Sequence, residues 1–235
     1  MREASPIIDE LAGRLKGVRN RIADAARAAG RHPDGIGLIA VSKTVPAEVL
    51  RAAHGLGQDL FGESYVQEAL AKIDALADLP GIVWHFIGPI QSNKTRPIAE
   101  RFAWVHSVDR PKIAERLASQ RPPDLPPLQV CVQVNVSGEA TKAGVMPDDL
   151  PELLAAVAAQ PALTLRGLMA IPEPTEDPAL QSARFSTVRS LLEAQRAHYP
   201  TLDTLSMGMS DDLESAIAEG ATLVRIGRAV FGERR

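Results

Sequence analysis

Lys43 is the residue of this chain best placed for covalent chemistry. It closes the stretch Ile36-Gly37-Leu38-Ile39-Ala40-Val41-Ser42-Lys43-Thr44, whose apolar run from Leu38 to Val41 lies between Asp34-Gly35 and Pro46. A short run with β-branched members and such flanks reads as a strand covered on both faces, as in a parallel α/β sheet. Ligands gather at the carboxyl ends of such strands. A lysine there can lose solvation, fall in pKa and attack a carbonyl; it can also simply mark the strand's exit into solvent. A second set of candidates stands far down the chain, in Ser206-Met207-Gly208-Met209-Ser210-Asp211-Asp212 and Val224-Arg225-Ile226-Gly227-Arg228. Ser206 offers a hydroxyl, Gly208 lets a backbone approach a ligand closely, and Gly227 opens a short terminal helix over 228–231. Loops after strands seven and eight of a barrel often hold phosphate. Singly, these residues also read as turn and cap residues.

Arg225 shares a strand face with Leu223, while Val224 and Ile226 share the other. If the first face points inward, the guanidinium is aimed at the mouth of the fold, where a cation needs a partner. Two roles are open for it: an ion pair with a carboxylate such as Glu63, or a contact with a ligand. A lysine, a phosphate cradle and a cation between them suit pyridoxal 5′-phosphate, which carries an aldehyde, a phosphate and a ring nitrogen.

The elements that must position these groups alternate. Ser5-Pro6 reads as a helix start, with Ser5 as N-cap, and Ile7, Leu11, Leu15, Val18, Ile22, Ala25 and Ala29 form one apolar stripe ending near Gly30. Strands are then expected at 38–41, 59–62, 82–87, 102–107, 128–136, 163–171, 202–207 and 223–226, with helices at 47–56, 65–76, 92–101, 111–119, 148–159, 179–198 and 212–219. Asp211 and Glu214 have capping-box spacing for the last of these. Strand and helix alternating in this way predict a (β/α)8 TIM barrel with an extra N-terminal helix, as one domain over 1–235. A doubly wound open sheet is the alternative, and the Gly-rich dinucleotide fingerprint it would favour is missing after the first strand.

Longer segments carry a family resemblance. Val41-Ser42-Lys43-Thr44, Phe61-Gly62-Glu63, the run from Trp84 to Lys94, Val132-Gln133-Val134-Asn135, the run from Arg166 to Pro172, Leu205 to Asp212, and Val224 to Gly227 together resemble the YggS/PROSC family of pyridoxal-phosphate homeostasis proteins, which is similar to the barrel domain of alanine racemase. The resemblance implies pyridoxal phosphate as cofactor, held as a Schiff base on the lysine at Lys43. Ser206, Gly208 and Gly227 match its phosphate-binding positions, and Arg225 matches the arginine facing the pyridine nitrogen. It implies a carrier or buffer of the cofactor with no catalytic residues of its own, and apo forms of pyridoxal-phosphate enzymes as candidate partners. An amino-acid racemase is the alternative, although the chain ends soon after the eighth strand, where a racemase continues into a domain supplying a second acid/base tyrosine. Where the family has Asn after Gly-Glu, this chain has Ser64.

Composition bounds the rest. A chain of 235 residues, 45% hydrophobic with net charge −3, points away from nucleic acid and anionic membranes. The single Cys131 suits a small core position in a reducing compartment, and the N-terminus lacks a signal-peptide core, so a cytoplasmic monomer is expected. The histidines show no metal-ligand spacing, so no metal is expected. Trp84-His85 reads as structural, Gln91 to Lys94 as a mouth loop or helix cap, and Lys142 as a solvated loop residue.

Overall fold

A computed structural model describes residues 6–137 and 143–232. The expectations placed on Ser5 and Lys142 lie outside these residues. Strands β1 (Gly37–Val41), β2 (Leu60–Glu63), β3 (Val83–Phe86), β4 (Trp104–Val108), β5 (Leu128–Gln133), β6 (Leu163–Met169), β7 (Thr204–Ser206) and β8 (Leu223–Ile226) pair in chain order, and β8 returns to β1, closing a parallel barrel. Helices α1 (Pro6–Ala28), α2 (Ala47–Gly55), α3 (Val66–Ala75), α4 (Thr95–Arg101), α5 (Pro111–Gln120), α6 (Leu150–Ala158), α7 (Pro178–Gln195), α8 (Leu213–Ala218) and α9 (Arg228–Phe231) cover it. This is the expected (β/α)8 barrel with its additional N-terminal helix, and the open-sheet alternative falls.

Alternation along each strand divides the side chains into two layers. Leu38, Ala40, Phe61, Val130, Val132, Val224 and Ile226 join the helices in one continuous apolar core, whereas Ile39, Cys131 and Met169 are buried apart from it, inside the barrel. Gly62 belongs to the inner layer: a Cβ there would stand 2.8 Å from Cγ2 of Ile39. Cys131 is the buried small residue expected of it, and desolvation pushes its thiol up to about 12, so it is inert as a nucleophile.

Helix α1 buries Leu11, Leu15, Val18, Ile22 and Ala26 and packs on α8 and α9. Ala26, rather than Ala25, carries the end of the stripe. Arg21 grips Glu214 through two bonds of 2.5 and 2.7 Å. That contact replaces the expected Asp211–Glu214 capping box; α8 starts instead after Asp212, whose carboxylate accepts from Met209 N–H at 2.6 Å.

Element ends move by one to three residues for local reasons. Phe102 N–H stays bonded to Ile98 O at 3.1 Å, so Phe102 belongs to the end of α4 and β4 begins at Trp104. β5 ends at Gln133; Val134 N–H still bonds Met169 O of β6 at 2.8 Å, and Val134 forms an isolated bridge with Val145. Gln91 to Lys94 is a cap of sorts: Ser92–Lys94 is a 3-10 turn leading into α4, with Pro97 in the helix's first turn. No helix of the described residues is long and apolar enough to cross a membrane.

Candidate functional site

The carboxyl ends of β7, β8, β1 and β2 stand side by side around the barrel. They bring together Ser206 and Gly208, Arg225 and Gly227, and Lys43, residues up to about 180 positions apart in the chain. Lys43 follows β1 by two residues and is half-buried. The register β1–β8 sets Ile39 against Arg225 and Ala40 against Ile226, so the Lys43 turn neighbours Gly227.

Arg225 points inward, the face it shares with Leu223 being the inner one, and is 4% exposed. Its hydrogen bonds go to oxygens of Ser206 and Ala170 rather than to the carboxylate that one of the two expected roles required. One terminal nitrogen donates to the main-chain oxygen of Ser206 at 2.5 Å and to its Oγ at 2.7 Å; the other donates to Ala170 O at 2.9 Å. Burial pushes the guanidinium down to about 10, opposed by the charge of Asp212, so it stays a cation at neutral pH. Glu63, offered as its ion-pair partner, turns the other way and bonds Ser42 and Lys72. Burial pushes the Glu63 carboxyl above its usual range, with the hydrogen bonds from Lys72 and Ser42 acting in the opposite sense.

Ser206 is fully buried. Its Oγ accepts from Arg225 and lies 2.8 Å from Nδ1 of His106. Nε2 of His106 lies 2.9 Å from Nδ1 of His85, whose Nε2 has no partner. A connected chain of polar groups therefore runs from the Arg225 cation through Ser206 and His106 to His85. With two lone pairs on Oγ, the hydroxyl can accept from both Arg225 and a His106 Nδ1–H and keep its own hydrogen for a ligand oxygen. Desolvation holds both imidazoles neutral: His85 is pushed down to about 3 and His106 well below the ordinary imidazole value. His85 is thus structural as expected, but satisfied at one nitrogen only.

The two glycines shape the turns around this chain. Gly208 has φ 98°, and a Cβ there would meet Cβ of Ala216 at 2.6 Å, so glycine is required for α8 to approach the turn as well as for its backbone conformation. Its carbonyl accepts from Arg225 N–H at 2.9 Å, and the Gly227 carbonyl accepts from Val230 and Phe231 at 3.0 and 2.9 Å. Both peptide planes are therefore held before any ligand arrives. Ser210 is half-buried and lines a depression with Arg14, Asp211, Arg228, Ala229 and Gly232. Ser64 lies against Gly88, where a Cβ would stand 2.4 Å from Ser64 O. No group of three histidine, cysteine or acidic side chains among the described residues could hold a metal ion.

A pH effect follows from the imidazoles. In the unfolded chain a histidine titrates near 6.5; in the fold His85 does so near 3. Below pH 6.5 the unfolded state binds more protons, so stability is complete above that pH and declines toward 3. For His85 alone the loss at pH 4.5 is about 3 kcal/mol. Urea midpoints measured at pH 7 and 4.5 should show it, and His85→Leu, which cannot titrate, should flatten the difference.

Sequence reasoning missed the His85–His106 pair and the buried Lys72. The signal for the first was present, since each histidine alternates with apolar residues on an inward face. It became readable only with the β3–β4 register, in which His85 faces Trp104 and Phe86 faces Val105.

Three comparisons give this geometry a setting. A family model described as alanine racemase, N-terminal domain, matches residues 14–235. The pyridoxal phosphate homeostasis proteins of Pseudomonas aeruginosa and Escherichia coli K12 are 63% and 50% identical to this chain, over 95% and 97% of it and 96% and 98% of their own lengths. The solved structure of PipY from Synechococcus elongatus with PLP bound superposes with a TM-score of 0.83 at 38% identity, covering 94% of this chain and all of that one. Identity at this level over nearly the whole of each chain, with the family model matched over most of it, leaves one assignment: the chain belongs to the pyridoxal phosphate homeostasis protein family, built on the alanine racemase N-terminal domain.

Proposed function

We propose that this chain binds pyridoxal 5′-phosphate at the carboxyl mouth of its barrel and serves the homeostasis of that cofactor. The observation that carries the reading is the convergence of a half-buried primary amine, Lys43, with the buried cation Arg225 and the glycine turns at 208 and 227 on the adjoining strands β1, β8 and β7. The donor set fits the group: an amine for its aldehyde, a cation for its ring nitrogen and two prearranged turns for its phosphate. When bound, the cofactor supplies an aldehyde that condenses with a primary amine, releasing one water. Lys43 supplies that amine. Arg225 faces the ring as a donor, because a guanidinium has no acceptor. Ser206 holds Arg225 and stands with Gly208 and Gly227 on the phosphate side of the site.

The same residues favour storage over turnover. A cation that only donates disfavours a proton on the ring nitrogen, which makes the ring a weaker electron sink. Of the two tyrosines, Tyr199 packs against the helix layer near the start of β7, and Tyr65 is 56% exposed beyond β2. Apo forms of pyridoxal-phosphate enzymes are the recipients this reading calls for.

Borohydride reduction of the cofactor-loaded protein, followed by mass mapping, tests the site. The modification should fall on Lys43. Recovery of the label mainly on Lys16, Lys72 or Lys112 would move the site elsewhere. Incubating the loaded protein with free amino acids should give α-proton exchange far below an enzymic turnover of about 1–1,000 per second; a rate in that range that vanishes in Lys43→Ala would make it an enzyme.

A further inference from the structure

Thr44 is the one non-glycine residue with positive φ among the described residues, at 65°. It is β-branched, and a β-branched residue in the left-handed region is a backbone outlier that its surroundings must impose. It directly follows Lys43. What imposes it is visible. The Thr44 N–H donates to Oε1 of Glu68 at 2.5 Å. The same Oε1 accepts from Nζ of Lys72 at 2.5 Å. Lys72, on α3, is 5% exposed and donates further to Ser42 O at 2.6 Å and to Oε1 of Glu63 at 2.7 Å. The Ser42 hydroxyl completes the cluster with its own 2.7 Å bond to Glu63.

These bonds have one geometric consequence. Ser42 O belongs to the peptide unit before the Lys43 α-carbon, and Thr44 N–H to the unit after it. The two units on either side of an α-carbon define its φ and ψ. Lys72 holds the first directly and the second through Glu68. An ion pair that only fastened α3 to the barrel would need no strained turn; a glycine at 44 would give the same chain path without strain.

We propose that Lys72 and Glu68 are positioning residues for Lys43: together they clamp both peptide units around its α-carbon and so set the direction in which its side chain leaves β1. The inference rests on the reading of Lys43 as the attachment point for pyridoxal phosphate. Neither Lys72 nor Glu68 is assigned a contact with the cofactor.

Two readouts test it on the full chain. The first, in cofactor-free protein, is amide hydrogen exchange over residues 42–45. The second is the affinity for pyridoxal phosphate, followed by absorbance. Lys72→Met and Glu68→Leu should speed exchange at the Thr44 amide and weaken cofactor binding on the order of 10- to 100-fold, the range expected when a reacting group is misplaced by about 1 Å. Glu68→Gln keeps an oxygen for the Thr44 N–H and should stay close to wild type in both readouts. Thr44→Gly removes the strain and should recover part of the binding lost in Lys72→Met. A folded Lys72→Met protein with wild-type exchange and affinity overturns the clamp. If Lys72→Met does not fold, equal cofactor affinity in Glu68→Leu and Glu68→Gln overturns it instead. The exchange readout needs no cofactor, so labelling of a lysine other than Lys43 would sink the site reading while the clamp is still judged on its own.

Discussion

Lys43→Ala is expected to yield a folded protein that no longer turns yellow with pyridoxal phosphate and loses the cofactor on desalting. Lys43 is half-buried beyond the end of β1 and is not part of the apolar core, so its truncation leaves the barrel's packing untouched. What disappears is the covalent tether. The turns at Gly208 and Gly227 and the Arg225 cation remain, so non-covalent binding should persist with affinity lowered on the order of 100-fold or more, about 3 kcal/mol. Absorbance spectra and equilibrium dialysis of the variant would measure both. Wild-type colour and retention in Lys43→Ala would place the attachment elsewhere.

The largest effect on stability is expected at Gly167, in β6. It pairs with Thr204 of β7, and a Cβ at 167 would stand 1.8 Å from the Thr204 carbonyl oxygen and 2.6 Å from its carbon. Backbone, unlike a side-chain tip, cannot swing aside, so Gly167→Ala must push β6 and β7 apart. A loss of about 3–5 kcal/mol follows, in the upper range for single substitutions. Because Ser206 lies two residues further along β7, the shift should also disturb the bonds it makes with Arg225 and His106. Gly17→Ala is the control: Gly17 lies exposed inside α1 with nothing within 4 Å of a new Cβ, and should gain about 0.5–1 kcal/mol. Urea unfolding of the two variants should move in opposite directions.

Much of this was legible from residue order because apolar runs and breakers act locally. The alternation of Leu223 and Arg225 against Val224 and Ile226 put the arginine on one face and left open which way that face points, while the run ending at Lys43 placed the lysine at the mouth. Partner choice was less readable, because it depends on which side chains meet across elements. Glu63 was one candidate partner for Arg225, beside a ligand, yet it faces outward from β2, where α3 presents Lys72. Ser206 was expected on the phosphate side of the site; its residue type did not tell that Oγ also accepts from Arg225 and lies 2.8 Å from Nδ1 of His106. The capping box failed for a similar reason: Glu214 had a better partner in Arg21, 193 positions away.

The barrel's closure between β1 and β8 has a consequence for the protein as it is being made. Lys43 leaves the ribosome long before its neighbour across the seam: Gly227 follows roughly 180 residues later, about 10–40 s at ordinary rates of synthesis. Throughout that interval a nascent chain displays the lysine without the turns and the cation that would surround it. On the reading proposed for Lys43, cofactor capture waits until the last strand is made, and a truncated translation product would carry the lysine without the groups that complete its site.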